Sequence, residues 1–326
     1  MNEPIETLGA CSRCESPLEI GDLRCAICGQ AAPAESERRI NETEVQILRC
    51  AGCGAALTYD PDHQAPACSF CGDVLRVESI RDPMEQTQFY LPFTVSEDQA
   101  RQALRRWLGN RGWFCPSDLS SAARLTELKP LWWVAWTFDA EALVSWTVDS
   151  NAGNGRSDWA PHSGRNEVRF DDILVSASRG LTDREVAAIT PGMNLSTRRD
   201  RPEGTAGNAT LERFDVQRSQ ARLYLTGAIE RIAMQQVQER FAPGTRFRNV
   251  NVSLVLRRLI THRFSLPAYV LAYRYKNELY RVVICGQDAN RIIGNAPKSI
   301  FKMMAVGLAA ALFLLLMLAI FASANG

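Results

Sequence analysis

Lysine and histidine are scarce in this chain, and phosphate-binding loops are missing. Of its 37 basic side chains only four are lysines, Lys129, Lys276, Lys298 and Lys302. None follows a glycine, so the G-x-x-x-x-G-K-[ST] loop of nucleotide-driven motors is absent. The three histidines, His63, His162 and His262, lie far apart, and neither H-E-x-x-H nor G-x-S-x-G occurs. Zincin and α/β-hydrolase chemistry are thereby excluded, and no catalytic residue and no enzymatic activity are expected. The start, Met1-Asn-Glu-Pro-Ile-Glu, has neither the basic nor the apolar region of an export signal. The expectation is a reducing compartment, which disfavours disulfides.

Cysteine is plentiful by contrast. Eight of the ten cysteines form four C-x-x-C pairs: Cys11/Cys14, Cys25/Cys28, Cys50/Cys53 and Cys68/Cys71. A two-residue gap lets one tight turn aim both sulfurs at a single point, and two such turns supply four thiolates in tetrahedral array. Such sets suit zinc or iron, and closed four-ligand sites are structural. We read two zinc ribbons, with Cys11, Cys14, Cys25 and Cys28 on one zinc and Cys50, Cys53, Cys68 and Cys71 on the other. Cross-pairing of knuckles between the ribbons stays open. Glycine follows the second cysteine at Gly29, Gly54 and Gly72, where positive φ closes the turn. Glu15 takes that place in the first knuckle. With all four ligands supplied by protein, no position is left for a substrate.

The overall charge of +1 hides an asymmetry. Residues 1–89 carry 15 acidic and 7 basic side chains, net −8, which leaves 21 acidic and 30 basic, net +9, for the remainder. Affinity for nucleic acid comes mostly from cations that displace counterions, so the acidic ribbons are a poor module for it.

The organisation expected is a ribbon over 1–29, a linker over 30–46, a second ribbon over 47–80 and an α+β domain over 87–300. Ser96 opens a helix, with Gln99 at the capping-box position and Ala100, Ala103, Leu104, Trp107 and Leu108 along one side. Leu131–Phe138 and Ala142–Val148 are strand-like and separated by Asp139-Ala-Glu, which predicts a hairpin. Residues 151–166 read as a loop carrying His162, and Asp171 and Asp172 as a solvent-facing strand entry. A long helix is expected near 211–241, where Leu225, Ile229, Ile232, Ala233, Val237 and Phe241 recur at spacings of three and four. Three strands follow, and Cys115 and Cys285 read as small buried hydrophobes.

Met303 to Ser323 gives 21 residues without a charge. As one helix it would extend ~31 Å, which matches a hydrocarbon core of ~30 Å. That predicts a C-terminal transmembrane helix. Lys298 and Lys302 precede it, so the positive-inside rule places the amino-terminal bulk in the cytoplasm.

The four knuckles, Leu91-Pro-Phe before a helix, Trp136-Thr-Phe-Asp-Ala140, the segments Leu266–Lys276 and Leu279–Gln287, and the apolar terminus together resemble a family. It is that of bacterial zinc-ribbon membrane proteins often labelled after the primosomal replication-restart helicase. The missing phosphate loop contradicts the helicase label, and Cys285 stands where the family more commonly has asparagine. The resemblance implies a single-pass inner-membrane scaffold for partners similar to phage-shock protein A or to SPFH proteins, as in envelope-stress assemblies. The expected function is thus a non-enzymatic docking protein at the membrane. The alternative is a membrane-tethered nucleic-acid-associated protein that makes contact through its basic 90–300 region.

Overall fold

The computed structural model describes residues 7–33, 43–52, 55–58, 68, 73–82, 86–122, 124–125, 128–153, 159–206, 209–276, 278–308 and 312–314. Two small sheets come first: β1 (Thr7–Ala10) with β2 (Pro17–Glu19), and β3 (Thr43–Cys50) between β4 (Ala56–Thr58) and β5 (Leu75–Asp82). The rest is built on one eight-stranded sheet. Its members are β6 (Phe89–Tyr90), β7 (Arg124–Leu125), β8 (Lys129–Ser150), β9 (Ala160–Ser176), β10 (Thr210–Leu211), β11 (Phe247–Tyr275), β12 (Glu278–Cys285) and β13 (Ile292–Gly294). Its helices are α1 (Glu97–Gly109), α2 (Leu119–Ala122), α3 (Asp183–Ile189) and α4 (Arg218–Gln236), the last prolonged by a π-helical turn over Val237–Phe241.

Two antiparallel strands, β8 of 22 residues and β11 of 29, run through the whole body. They pair from Phe247 opposite Ser150 to Pro267 opposite Trp132. Burial along β8 shows why a single strand serves two environments. From Leu131 to Phe138 every side chain is buried, because the sheet is covered on both faces there. Leu131, Trp133 and Ala135 pack with Leu181, Ile189 and the second ribbon, while Trp132 packs under α1 with Phe93 and Leu104. Beyond Phe138 the pattern alternates. Ala140, Ala142, Val144, Trp146 and Val148 turn toward Leu225, Ile229 and Ala233 of α4, and the residues between them face outward. A strand covered on both faces reads as a continuous apolar run, and one covered on a single face alternates.

The expected capping box at α1 is present, with Gln99 N–H donating to Ser96 Oγ and Ser96 N–H to Gln99 Oε1. The hairpin expected at Asp139-Ala-Glu does not form. The stretch lacks a glycine, proline or asparagine to turn the chain, and it makes a bulge instead, where Asp139 Oδ1 accepts the backbone N–H of Asp172. His162 likewise lies within β9, opposite Val148, rather than in a loop.

The expected fold class is corrected. Among the described residues the chain is mostly sheet, with α1 to α4 and a helical stretch over 300–308, and no helix there is long and apolar enough to cross a membrane. Of the segment read as transmembrane, 303–308 and 312–314 are helical, and 309–311 and 315–323 lie outside the described residues. The described helical stretch 300–308 accounts for ~14 Å of rise, against a hydrocarbon core of ~30 Å. The transmembrane helix and the single-pass inner-membrane placement are both overturned.

Glu212 is 1% exposed and sits between the sheet and the second ribbon. Burial pushes its carboxyl pKa well above the ordinary value, against the hydrogen bond donated by Ser178 Oγ at 2.7 Å, and Asp215 and Cys68 push it further. Such a group favours folding below the unfolded glutamate pKa and withdraws that contribution as pH rises toward the folded one. Urea midpoints measured between about pH 4 and pH 8 will therefore fall for the wild type relative to Glu212→Gln. The variant becomes the more stable protein at the alkaline end, and parallel curves would refute this account.

Candidate metal centre

The sulfurs of Cys11, Cys14, Cys25 and Cys28 all lie within 4.8 Å of one another, a group able to hold one metal ion. Cys11 and Cys28 are 3.6 Å apart, and Cys14 and Cys25 3.5 Å. The backbone explains the convergence. Cys11 N–H donates to Ser16 O and Cys25 N–H to Gln30 O, each bond spanning five residues and closing a loop around one cysteine pair. Inside each loop the N–H of Glu15 or Gly29 donates back to the first cysteine's carbonyl. Gly29 has φ +72°, and Glu15 adopts the same left-handed turn at φ +57° without glycine's freedom.

Backbone N–H groups of Arg13 and Cys14 hold the Cys11 thiol down at about 6, assisted by the sulfurs of Cys28 and Cys25 and opposed by burial. For Cys14 the N–H of Ser16 favours the thiolate, but burial and the sulfurs of Cys25, Cys28 and Cys11 outweigh it and push the thiol up to about 12. A bound dication supplies the positive charge that lets all four sulfurs ionise together, so loading the site releases protons.

The second set is described in part. Cys50 and Cys68 are buried, and Cys53 and Cys71 lie outside the described residues. Cys50 N–H donates to Ala55 O and Cys68 N–H to Asp73 O, the same five-residue closure as in the first ribbon. Gly52 N–H also donates to Cys50 Sγ at 3.3 Å.

Both ribbons are fastened to the body. Glu19 and Asp22 of the first are 5% and 6% exposed, facing Arg218 and Arg222 one turn apart on α4. Arg218 donates to Glu19 Oε2 at 2.9 Å and to Ile20 O at 2.8 Å. Arg222 donates to Asp22 Oδ1 at 2.7 Å and to Glu19 Oε2 at 3.0 Å. The other oxygen, Glu19 Oε1, accepts the backbone N–H of Thr261 in β11 at 2.7 Å. The second ribbon is held by Arg49, which donates to both oxygens of Asp215, and by Arg213 N–H, which donates to Ala56 O. Its Leu48 and Ala55 share a core cluster with Trp133.

Compared with protein-family models, with curated proteins and with solved structures, the chain matches none. The family resemblance stands on its motifs alone.

The other residues singled out from sequence are placed as follows. Asp171 pairs with Arg169 at 2.6 Å, and Asp172, at φ +57°, closes the bulge on β8. His262 Nε2 lies 3.4 Å from Asp139, and His63 is outside the described residues. Cys285 is buried, and burial raises its thiol pKa. The docking residues Glu19, Asp22, Arg218 and Arg222 were missed. Their one sequence signal is spacing, acids three apart and arginines four apart, which sequence alone cannot tell from a solvated helix face.

Removing one partner of a buried charge cluster costs about 3–5 kcal/mol, because the remaining charges lose their compensation. Glu19→Ala is expected to lower unfolding stability by that order and to open residues 7–33 to protease before the sheet is cut. An unchanged urea midpoint and digestion pattern would contradict the docking geometry.

Proposed function

We propose that the chain is a non-enzymatic docking protein. Two structural zinc ions, one on Cys11, Cys14, Cys25 and Cys28 and one on Cys50, Cys53, Cys68 and Cys71, fold its recruiting surfaces. The observation that carries this reading is the shared closure of the knuckles. All four first cysteines donate their N–H to a carbonyl five residues on. A loop repeated four times around C-x-x-C pairs supports a common ligand role, and thiolate sets of this kind favour zinc.

A zinc bound by four cysteines has no open position for a substrate, so its contribution is to fold chain too short to hold a core of its own. The buried pairs to α4 and the bond from Arg213 give such ribbons a fixed stance on the body. An acidic segment repels phosphate, which supports proteins as partners. Proteins similar to phage-shock protein A or to SPFH proteins remain the kind that the sequence resemblance suggests.

Elemental analysis of the purified full chain is the test. The expected result is two zinc ions per chain, falling to one in Cys25→Ser and to one in Cys50→Ser, with no iron in either. A wild-type content of one zinc, or two ions retained in either variant, would overturn the two-centre assignment.

A further inference from the structure

The long strand β11 is sealed along part of one edge and open along the rest. Its β8 edge is paired from Phe247 to Pro267. On the other edge β12 covers Ala268–Tyr275, and β6 covers Phe264 and Ser265. Next to these, Gln88 N–H donates to Arg263 O, and Glu19 Oε1 accepts Thr261 N–H. A carboxylate of the first ribbon thus occupies the place of a neighbouring strand's carbonyl. From 247 to 260 no strand among the described residues pairs with that edge.

Beside the open stretch lies a cavity of about 740 Å³, walled by Ile27 and Cys28 of the ribbon, Ile229 and Glu230 of α4, and Leu254 and Leu256 of β11. Leu254 and Leu256 oppose Val144 and Ala142, which are 0% and 2% exposed, yet are themselves only partly buried. The apolar layer under α4 therefore continues to the strand edge and stops there uncovered.

We infer that this edge takes an extended segment of a partner protein as an added strand, apolar at alternate residues and carrying a carboxylate beside Arg257 and Arg258. Open backbone groups select a strand, and a pocket along one side selects apolar residues at period two. Charge selects the rest. The register slips between Leu256 and Arg258, and both arginines at this bulge are more than half exposed. Their present partners, Glu167 at 2.7 Å and Glu141 at 3.8 Å, are themselves exposed. Such pairs contribute little and exchange readily. Two copies of this chain joined antiparallel at the bulge would set arginine against arginine, which disfavours self-pairing. This inference rests on the docking reading and gives it a place and a partner chemistry.

The test is selection from a random twelve-residue peptide display library on the zinc-loaded full chain, followed by hydrogen exchange with the enriched peptides. The expected sequences alternate apolar residues and carry aspartate or glutamate. Their binding slows exchange of amides in 250–258, weakens about tenfold in Arg257→Glu/Arg258→Glu, and recovers when lysine replaces the peptide acid. Methylating alternate peptide nitrogens is expected to abolish it. Peptides whose footprint falls on a ribbon but not on 250–258 would overturn the strand site and leave the docking reading standing. Protection of 250–258 by self-association without peptide would assign the edge to a second copy and overturn the inference. A selection that enriches nothing would count against both readings.

Discussion

Four charges, two buried acids and two arginines with side chains 13% and 15% exposed, fix the first ribbon to the body. Glu19 and Asp22 are buried against Arg218 and Arg222, and both oxygens of Glu19 are used, one by the two guanidinium groups and one by the N–H of Thr261. Buried ion pairs contribute little net stability over apolar packing, because desolvation offsets most of the attraction. Their effect is positional. Docking in another register would leave one of these charges buried without its partner. The metal centre is tied to this arrangement through a short segment, since Glu19 and Asp22 lie between Cys14 and Cys25. Whatever orders the two knuckles also orders the two acids.

The body receives the ribbons on surfaces that β8 and β11 define. Because the two strands run through both ends of the sheet, the α1 end and the α4 end are parts of one hydrogen-bonded frame. The second ribbon lies where β8 is covered on both faces, and the first lies beside α4, where β8 is covered on one. Residues 261–275 of β11 have neighbours on the edge away from β8, and 247–260 have none among the described residues. One strand thus serves as core, as anchor for the ribbon and as open edge.

Much of this was legible in the residues. C-x-x-C spacing gave the knuckles, Ser96 with Gln99 gave the start of α1, and the spacing of Leu225, Ile229 and Ala233 gave the buried face of α4. Three features were not. Asp139-Ala-Glu was read as a turn because two polar residues interrupt an apolar run, whereas the interruption marks the place where one face of β8 turns to solvent. Met303–Ser323 was read as spanning because 21 uncharged residues in one helix would match a bilayer core, whereas among the described residues no helix is long and apolar enough to cross a membrane. Glu19, Asp22, Arg218 and Arg222 passed as surface residues because a buried ion pair and a solvated one are written with the same letters.

The central claim is that metal in the first ribbon governs its attachment to the body. Amide exchange of the full chain with zinc bound and after chelation tests it most directly, read at Thr261. That N–H is held by Glu19 and not by another strand. The account predicts that chelation speeds exchange at Thr261 and leaves Leu266 and Val270, deep in the sheet, slow. Equal protection of Thr261 with and without zinc would contradict it, and would mean that the ion pairs hold the ribbon without help from the metal.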